Sequence, residues 1–162
     1  MRPLLATDTP EIARIGGDRR VARMIFAATV PWPEVDVARF VAYFAWTGAL
    51  PFRLAICLPE GPLIGTVGAS EDAHVFYFVD PAHWGNGYAT EAMNGFLPAV
   101  MDGFGLAEVH ADVFTDNVAS HRVLEKLGFR RTGTGAGTSA ARLEPAPVIV
   151  YRLDRSSLEA RT

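Results

Sequence analysis

Two glycines near the middle of the chain, Gly85 and Gly87, stand between a strand-like run and a helical one. Residues 76–80 read FYFVD, a buried strand stopped at Pro81. From Tyr88 the apolar spacing becomes helical, with Ala89, Ala92, Met93, Phe96 and Val100 on one side. Glycine at such a junction lets the backbone turn its N–H groups inward and lets a ligand come close. The helix start adds unpaired donors and a partial positive charge, so the turn is an anion site suited to phosphate. His74 precedes the strand and, with a reference pKa of about 6.5, can exchange a proton near neutrality. The competing reading is a surface histidine after Glu71 and Asp72, which are themselves either fallback bases or solvated turn residues. Asn117 stands ahead of a later helix and can cap it, and Ser120 follows in the first turn.

The anion site can be narrowed by what surrounds it. A P-loop requires lysine after its second glycine, and none follows here. A dinucleotide fingerprint requires a third glycine where this chain has Thr90, and a first βαβ strand where this chain has a meander.

The elements that must position these residues follow from periodicity. A short strand over residues 2–6 precedes a helix starting near Thr9-Pro10, capped by Thr9 or by Asp8 with Glu11, and closed by Gly16-Gly17. A second helix is predicted over 19–28, with Pro31-Trp32-Pro33 as a stiff link after it. A third covers 34–46, with Val37, Phe40, Val41 and Phe44 in one stripe. Residues 52–70 read as a hairpin turning at 59–62, and 73–79 as the next strand. The helix over 88–104 contains Pro98, which predicts a kink or an early end. A strand over 107–114, a helix closed by Gly128, a strand from Phe129, a loose loop over 133–147 and a strand over 148–153 complete the chain, with a frayed tail from Asp154. The order βααα-βββ-α-β-α-ββ describes one mixed α/β domain over 1–162, with helices on both faces of the sheet.

Composition removes several classes of function. A net charge of −3 gives no electrostatic reason to expect nucleic acid. Cys57 is the only cysteine, so no thiolate metal cluster or internal disulfide is expected; it lies in an apolar run as a small hydrophobe. No segment has the length of a membrane span or the shape of a signal peptide, which makes a cytoplasmic protein the expectation.

Three segments carry a resemblance. VDPAHWGNGYATEA (79–92), TDNVASHRVLEKLGF (115–129) and IGTVGA (64–69) are similar to the GCN5-related N-acetyltransferase family, and within it to the branch that acetylates N-termini of ribosomal proteins. The resemblance implies that family's fold, with a mostly antiparallel sheet of about seven strands, and acetyl-CoA as acyl donor with no metal. It places the pyrophosphate on the amides from His83 through Trp84, Gly85, Asn86, Gly87 and Tyr88 to Ala89. It places the pantetheine arm along Phe78, Val79 and Asp80, in a gap where strands 73–79 and 107–114 splay apart. Asn117 would bond the pantetheine as well as capping, and Arg122, with Lys126 or His121, would meet the 3′-phosphate or adenine. A solvated basic helix face is the alternative for these last three.

The acceptor would be a primary amine, with a protein N-terminal α-amine the candidate for that branch, attacking directly in a ternary complex on a monomer or homodimer. Small-molecule amine acetylation and a non-catalytic acyl-CoA sensor are the alternatives. His74 stands where relatives often carry Glu and becomes the candidate base. Many family members protonate the thiolate from a tyrosine; the matching residue here is Leu124, which leaves Ser120 as the candidate donor. Ala82 replaces a usual Gln or Arg, removing one possible side-chain contact. Trp84 would brace the loop, with ordinary core as the alternative. Residues 26–32 and the loop over 133–147 would border the acceptor groove, with Trp32, a rigid aromatic between two prolines, either as a groove wall or simply as core.

Overall fold

A computed structural model describes residues 1–160 of the 162-residue chain. Its element order is β1 (Arg2–Pro3), α1 (Thr9–Gly16), α2 (Arg19–Ala22), α3 (Glu34–Tyr43), β2 (Phe52–Cys57), β3 (Leu63–Ala69), β4 (Val75–Val79), α4 (Tyr88–Gly103), β5 (Glu108–Phe114), α5 (Val118–Lys126), β6 (Arg130–Gly137), β7 (Ala146–Asp154) and α6 (Arg155–Glu159). Among the described residues the strands form a four-stranded sheet, β1-β2-β3-β4, and a three-stranded one, β5-β7-β6, with every ladder antiparallel. The two meet at one parallel bridge between His74 and His110.

Alternation along the strands sends side chains to two separate cores. Phe52, Ile56, Val67, Val75, Val79, Val109, Ala111 and Val113 pack under α4 and α5, with Met93, Phe96, Leu124 and Leu127. Ala55 and Phe78 pack on the other face with Ile12 and Ile15 of α1, Val21 of α2, and Val37 and Val41 of α3. The two layers of helix bury both faces, as a mixed sheet of this size requires.

Several boundaries depart from expectation, each for a local reason. The second helix ends at Ala22, not near 28, and the chain turns there to bring Phe26 against Phe114, ring centroids 5.4 Å apart. Helix α4 runs through Pro98 to Gly103. Pro98 and Asn94, whose carbonyl loses its helical donor, are both exposed, so water replaces the missing bond. Strand β6 extends to Gly137 and β7 begins at Ala146, which shortens the expected loop to 138–145. The tail docks rather than frays: Arg155 donates to the carbonyls of Met101 and Leu106 and pairs with Asp102. Residues 161–162 of that tail lie outside the described residues.

Arg53 is a buried cation. It reaches Thr66 Oγ1 at 3.0 Å and lies over the rings of Phe76, Phe40 and Phe44 at 4.0, 4.8 and 4.9 Å. Burial pulls its guanidinium down to about 9. The negative faces of the rings stand where a carboxylate would otherwise be needed.

Two buried carboxylates tie the N-terminal segment to the sheet. Asp8 accepts from Arg2 at 2.7 and 2.8 Å and from the Leu5 amide at 2.8 Å, and it makes no side-chain cap for α1. Asp80, at the end of β4, pairs with Arg14 and accepts from the Ala82 amide at 2.8 Å. Burial raises both carboxyls, but the guanidinium and amide donors outweigh it, so each titrates below its ordinary value. Folded pKa values below unfolded ones give stability that is complete above the unfolded value of about 3.9 and lost as pH falls through the folded one. Denaturant midpoints should therefore begin to drop below about pH 5 and go on dropping until the pH has passed the lowered folded values. Asp8→Asn and Asp80→Asn should each cost about 1–2 kcal/mol at neutral pH, allowing for the exposed arginines, and flatten that acid slope.

Candidate active site

The turn between β4 and α4 is shaped by its own side chains. Asp80 caps a 3-10 turn over Pro81–His83, and Asn86 Nδ2 donates back to the carbonyls of His83 and Trp84 at 3.2 and 3.3 Å. Gly85 and Gly87 have φ of 80° and 83°, the left-handed region that favours glycine. Gly87 is the N-cap of α4 and supplies no side-chain acceptor. The amides of Gly85, Asn86 and Gly87, followed by Tyr88, Ala89 and Thr90 at the helix start, form a cradle. The amides of His83 and Trp84 do not belong to it: they donate to Asp80 O and Pro81 O within the turn.

Beside the cradle, β4 and β5 separate. Asp80 N donates to Ile64 O and Ser70 N to His74 O, so the even-numbered residues of β4 bond β3. Ala73 O accepts from His110 N, so the odd-numbered ones face β5. Past the His74–His110 bridge the backbone of Tyr77 and the amide of Val79 look into an unfilled gap. Phe78 turns its backbone groups to β3, and Asp80 gives its N–H to Ile64 O and its carbonyl to His83 N, which corrects their expected pairing with a pantetheine arm; Val79 keeps it through its N–H. The Val79 carbonyl is taken by Trp84, whose indole N–H donates to it at 2.7 Å while the ring remains half exposed. Trp84 thus ties the turn to the gap's edge. On the opposite rim, His121 Nε2 lies 3.1 Å from Phe114 O, and its Nδ1 lies 2.8 Å from the Tyr151 hydroxyl.

The two faces of the gap carry different chemistry. His74 is on the α1–α3 face, with Nδ1 3.1 Å from Asp72 and Nε2 3.8 Å from Asp112. Asp112 Oδ1 is buried without a partner among the described residues. Alternation gave Asp112 no distinguishing mark in the sequence; only the convergence of β4 and β5 brings it to His74. Ser120 and Tyr77 are on the α4–α5 face. Asn117 Oδ1 accepts from Ser120 N at 3.2 Å and caps α5. Arg122 and Lys126 are exposed on that helix.

Over the α1–α3 face, Ser139 Oγ donates to Ala22 O, Ala140 N to Phe26 O, and Arg142 Nε to Arg23 O. The β6–β7 loop is thereby stitched to the segment after α2. Trp32 does not line this region. It is buried against Phe40, ring centroids 5.0 Å apart, and its ring fills the space a Cβ at Gly16 would need, so it is core rather than groove wall. Cys57 is partly buried. A cleft of about 480 Å3 lies at the other edge of the sheet, lined by Trp46, Phe52, Phe96 and Phe104, away from the gap.

Comparison with known proteins agrees with this geometry. Residues 1–130 match the model of the acetyltransferase (GNAT) domain. The uncharacterized N-acetyltransferase YoaA of Bacillus subtilis is 39% identical over 77 residues, 44% of each chain, and the probable N-acetyltransferase YjcK of the same organism is 40% identical over 78 residues, 44% of this chain and 43% of that one. The match thus spans less than half the length of these curated relatives. Spermidine N-acetyltransferase from Vibrio cholerae, solved with CoA and spermine, superposes with a TM-score of 0.84 at 18% identity, covering 98% of this chain and 96% of that one. Ribosomal-protein-S5-alanine acetyltransferase from Vibrio fischeri gives 0.75 at 20% identity, covering 94% and 91%. With a family model spanning most of its length, a cradle of amides at a glycine turn and a sheet split beside it, this chain belongs to the GNAT acetyltransferase family.

Proposed function

We propose that the protein is an acetyl-CoA-dependent N-acetyltransferase that moves the acetyl group directly to a primary amine in a ternary complex. The observation that carries this is the gap between β4 and β5, open beyond a single bridge and ending at the amide cradle. The coenzyme pyrophosphate would rest on the amides of Gly85 through Thr90. The pantetheine arm would use Val79 N–H and the Tyr77 backbone, as an added strand does. Asn117 and Arg122 stand on α5 for the rest of the coenzyme. Bound there, the coenzyme supplies an activated acyl group.

The amine would approach from the α1–α3 face, where His74 waits. His74 takes the amine's proton while Asp72 and Asp112 orient its ring. An α-amine, with a reference pKa of about 7.7–8.0, needs less help than a lysine at about 10.4, which favours a peptide N-terminus. Neighbours in fold include both ribosomal-protein and spermidine acetyltransferases, so polyamines belong in the same trial.

The test mixes purified protein with acetyl-CoA and peptides bearing free N-termini, polyamines and amino acids, and follows thiol release. Release with peptides above all others supports the reading. Tight CoA binding without release from any amine makes the protein a sensor, and no CoA binding removes the proposal altogether. His74→Ala should lower kcat/KM by about a hundredfold at pH 7 and by less at pH 9, where the amine is already neutral. Asp112→Asn should act in the same sense but more weakly. An unchanged pH–rate profile in His74→Ala would make His74 a surface residue.

A further inference from the structure

Tyr77 has an unused hydroxyl beside the gap. It lies three residues beyond the His74–His110 bridge, where β4 and β5 no longer pair. Its side chain points with Val75 and Val79 toward α4 and α5 and packs on that core. The phenolic oxygen is buried and has no hydrogen-bond partner among the described residues. Folded proteins seldom keep a buried polar atom unpaired, and those they keep call for an explanation. Ser120, in the first turn of α5, is a neighbour of this hydroxyl without reaching hydrogen-bond distance. Leu124, one turn further along α5, is fully buried and has no polar atom to offer. Tyr77 and Ser120 thus bring two hydroxyls together on the α4–α5 side of β4, the side on which a leaving sulfur would need a donor.

We propose that Tyr77 donates a hydrogen bond to the coenzyme sulfur and stabilises the thiolate as it leaves, performing from β4 the task that Leu124 cannot perform from α5. This rests on the acetyl-transfer reading above. In the step, the amine lone pair forms the C–N bond at the thioester carbon. The C–S bond then breaks and its electron pair stays on sulfur. The amine's proton leaves on the opposite face, to His74. Tyr77 keeps its own proton throughout, and the released thiolate is protonated by water. Burial pushes the phenol up to about 12, so it remains a donor wherever the amine is neutral. Donors fixed in a desolvated site and aimed at developing charge are worth about a hundredfold in kcat each.

Tyr77→Phe removes only the hydroxyl. The expected result is a fall in kcat of about a hundredfold, with the CoA dissociation constant within twofold and the melting temperature not lowered. A second readout isolates the sulfur: the thiol of bound CoA, titrated by the ultraviolet absorbance of its thiolate. In the wild type the phenol should hold that pKa down, and Tyr77→Phe should raise it by about one unit or more, the worth of a hydrogen bond to a charged group. Unchanged turnover, or lost turnover with an unmoved thiol pKa, overturns the proposal. Failure of wild-type protein to bind CoA would instead strike the acetyl-transfer reading itself.

Discussion

Replacing Gly87 with valine is expected to weaken CoA binding at least about a hundredfold, the loss of two charge-assisted hydrogen bonds, while the protein still folds. A Cβ at position 87 meets nothing within 4 Å, so crowding is not the cause. The cause is the backbone: φ at Gly87 is 83°, and a left-handed conformation costs an L-residue about 1–2 kcal/mol, more when it is β-branched. The turn can escape that cost by rotating, and rotation disperses the amides of Gly85 through Thr90 that in the proposed function converge on one pyrophosphate. The strain that remains should lower the melting temperature of the ligand-free protein by only about 3–8 °C for a domain of this size. Calorimetric titration with CoA measures the first effect and thermal unfolding the second. An unaltered dissociation constant would place the pyrophosphate elsewhere.

Gly65→Val should have the opposite profile, with little or no soluble protein. Gly65 lies on the central strand β3, opposite Val79. A Cβ there would stand 2.1 Å from Phe78 O and 2.9 Å from Val79 Cα. Both are backbone atoms of β4, so no side chain can swing aside; the two strands must separate. Overpacking of a core costs about 1–3 kcal/mol where neighbours yield, and more where they cannot, out of a total stability of about 5–15 kcal/mol. Gly65→Ala should lose at least about 3 kcal/mol by urea unfolding. Gly135→Ala, where the added carbon makes ordinary contact with Val148 at 3.5 Å, is the reference and should be nearly neutral. Recovery of stable Gly65→Val protein would mean that β3 and β4 lie farther apart.

What could be read from the chain divides along physical lines. Strands and amphipathic helices declare themselves by period, so β2, β3, β5 and α3 stood close to their expected places. The glycine turn was legible because its conformational demand is local. Its limits were not: that His83 and Trp84 spend their amides inside the turn depends on Pro81 and Asp80 closing a 3-10 turn. Trp32 illustrates a second limit, since the sequence leaves open whether its ring is groove wall or core. Flanking prolines announce a rigid segment but say nothing about which way the ring points, and it points into the α1–α3 core. Pro98 illustrates a third, since a helix tolerates proline when water can serve the freed carbonyl.

Asp112, Tyr77 and Arg53 were hidden for a common reason. Each lies in a strand where alternation describes a face and nothing more. Arg53 in FRLAICL carries no sign of the aromatic rings of Phe40, Phe44 and Phe76 that receive it from α3 and β4. Tyr77 in FYFVD reads as one more core aromatic. Only an unpaired hydroxyl in three dimensions sets it apart.

The single bridge at His74 and His110 also has a mechanical side. The sheet consists of two plates fastened at one point, and the resistance of each plate to twisting against the other comes from the helices laid across them. A ligand seated between the plates and bonded to an edge would serve as a removable spar. Loading the protein with its cofactor would then be an act of stiffening as well as of supply, worth about 2.7 kcal/mol at a hundred times the dissociation constant. On the proposed function, the split that would admit the acyl donor would also make the rigidity of the molecule depend on whether the donor is present.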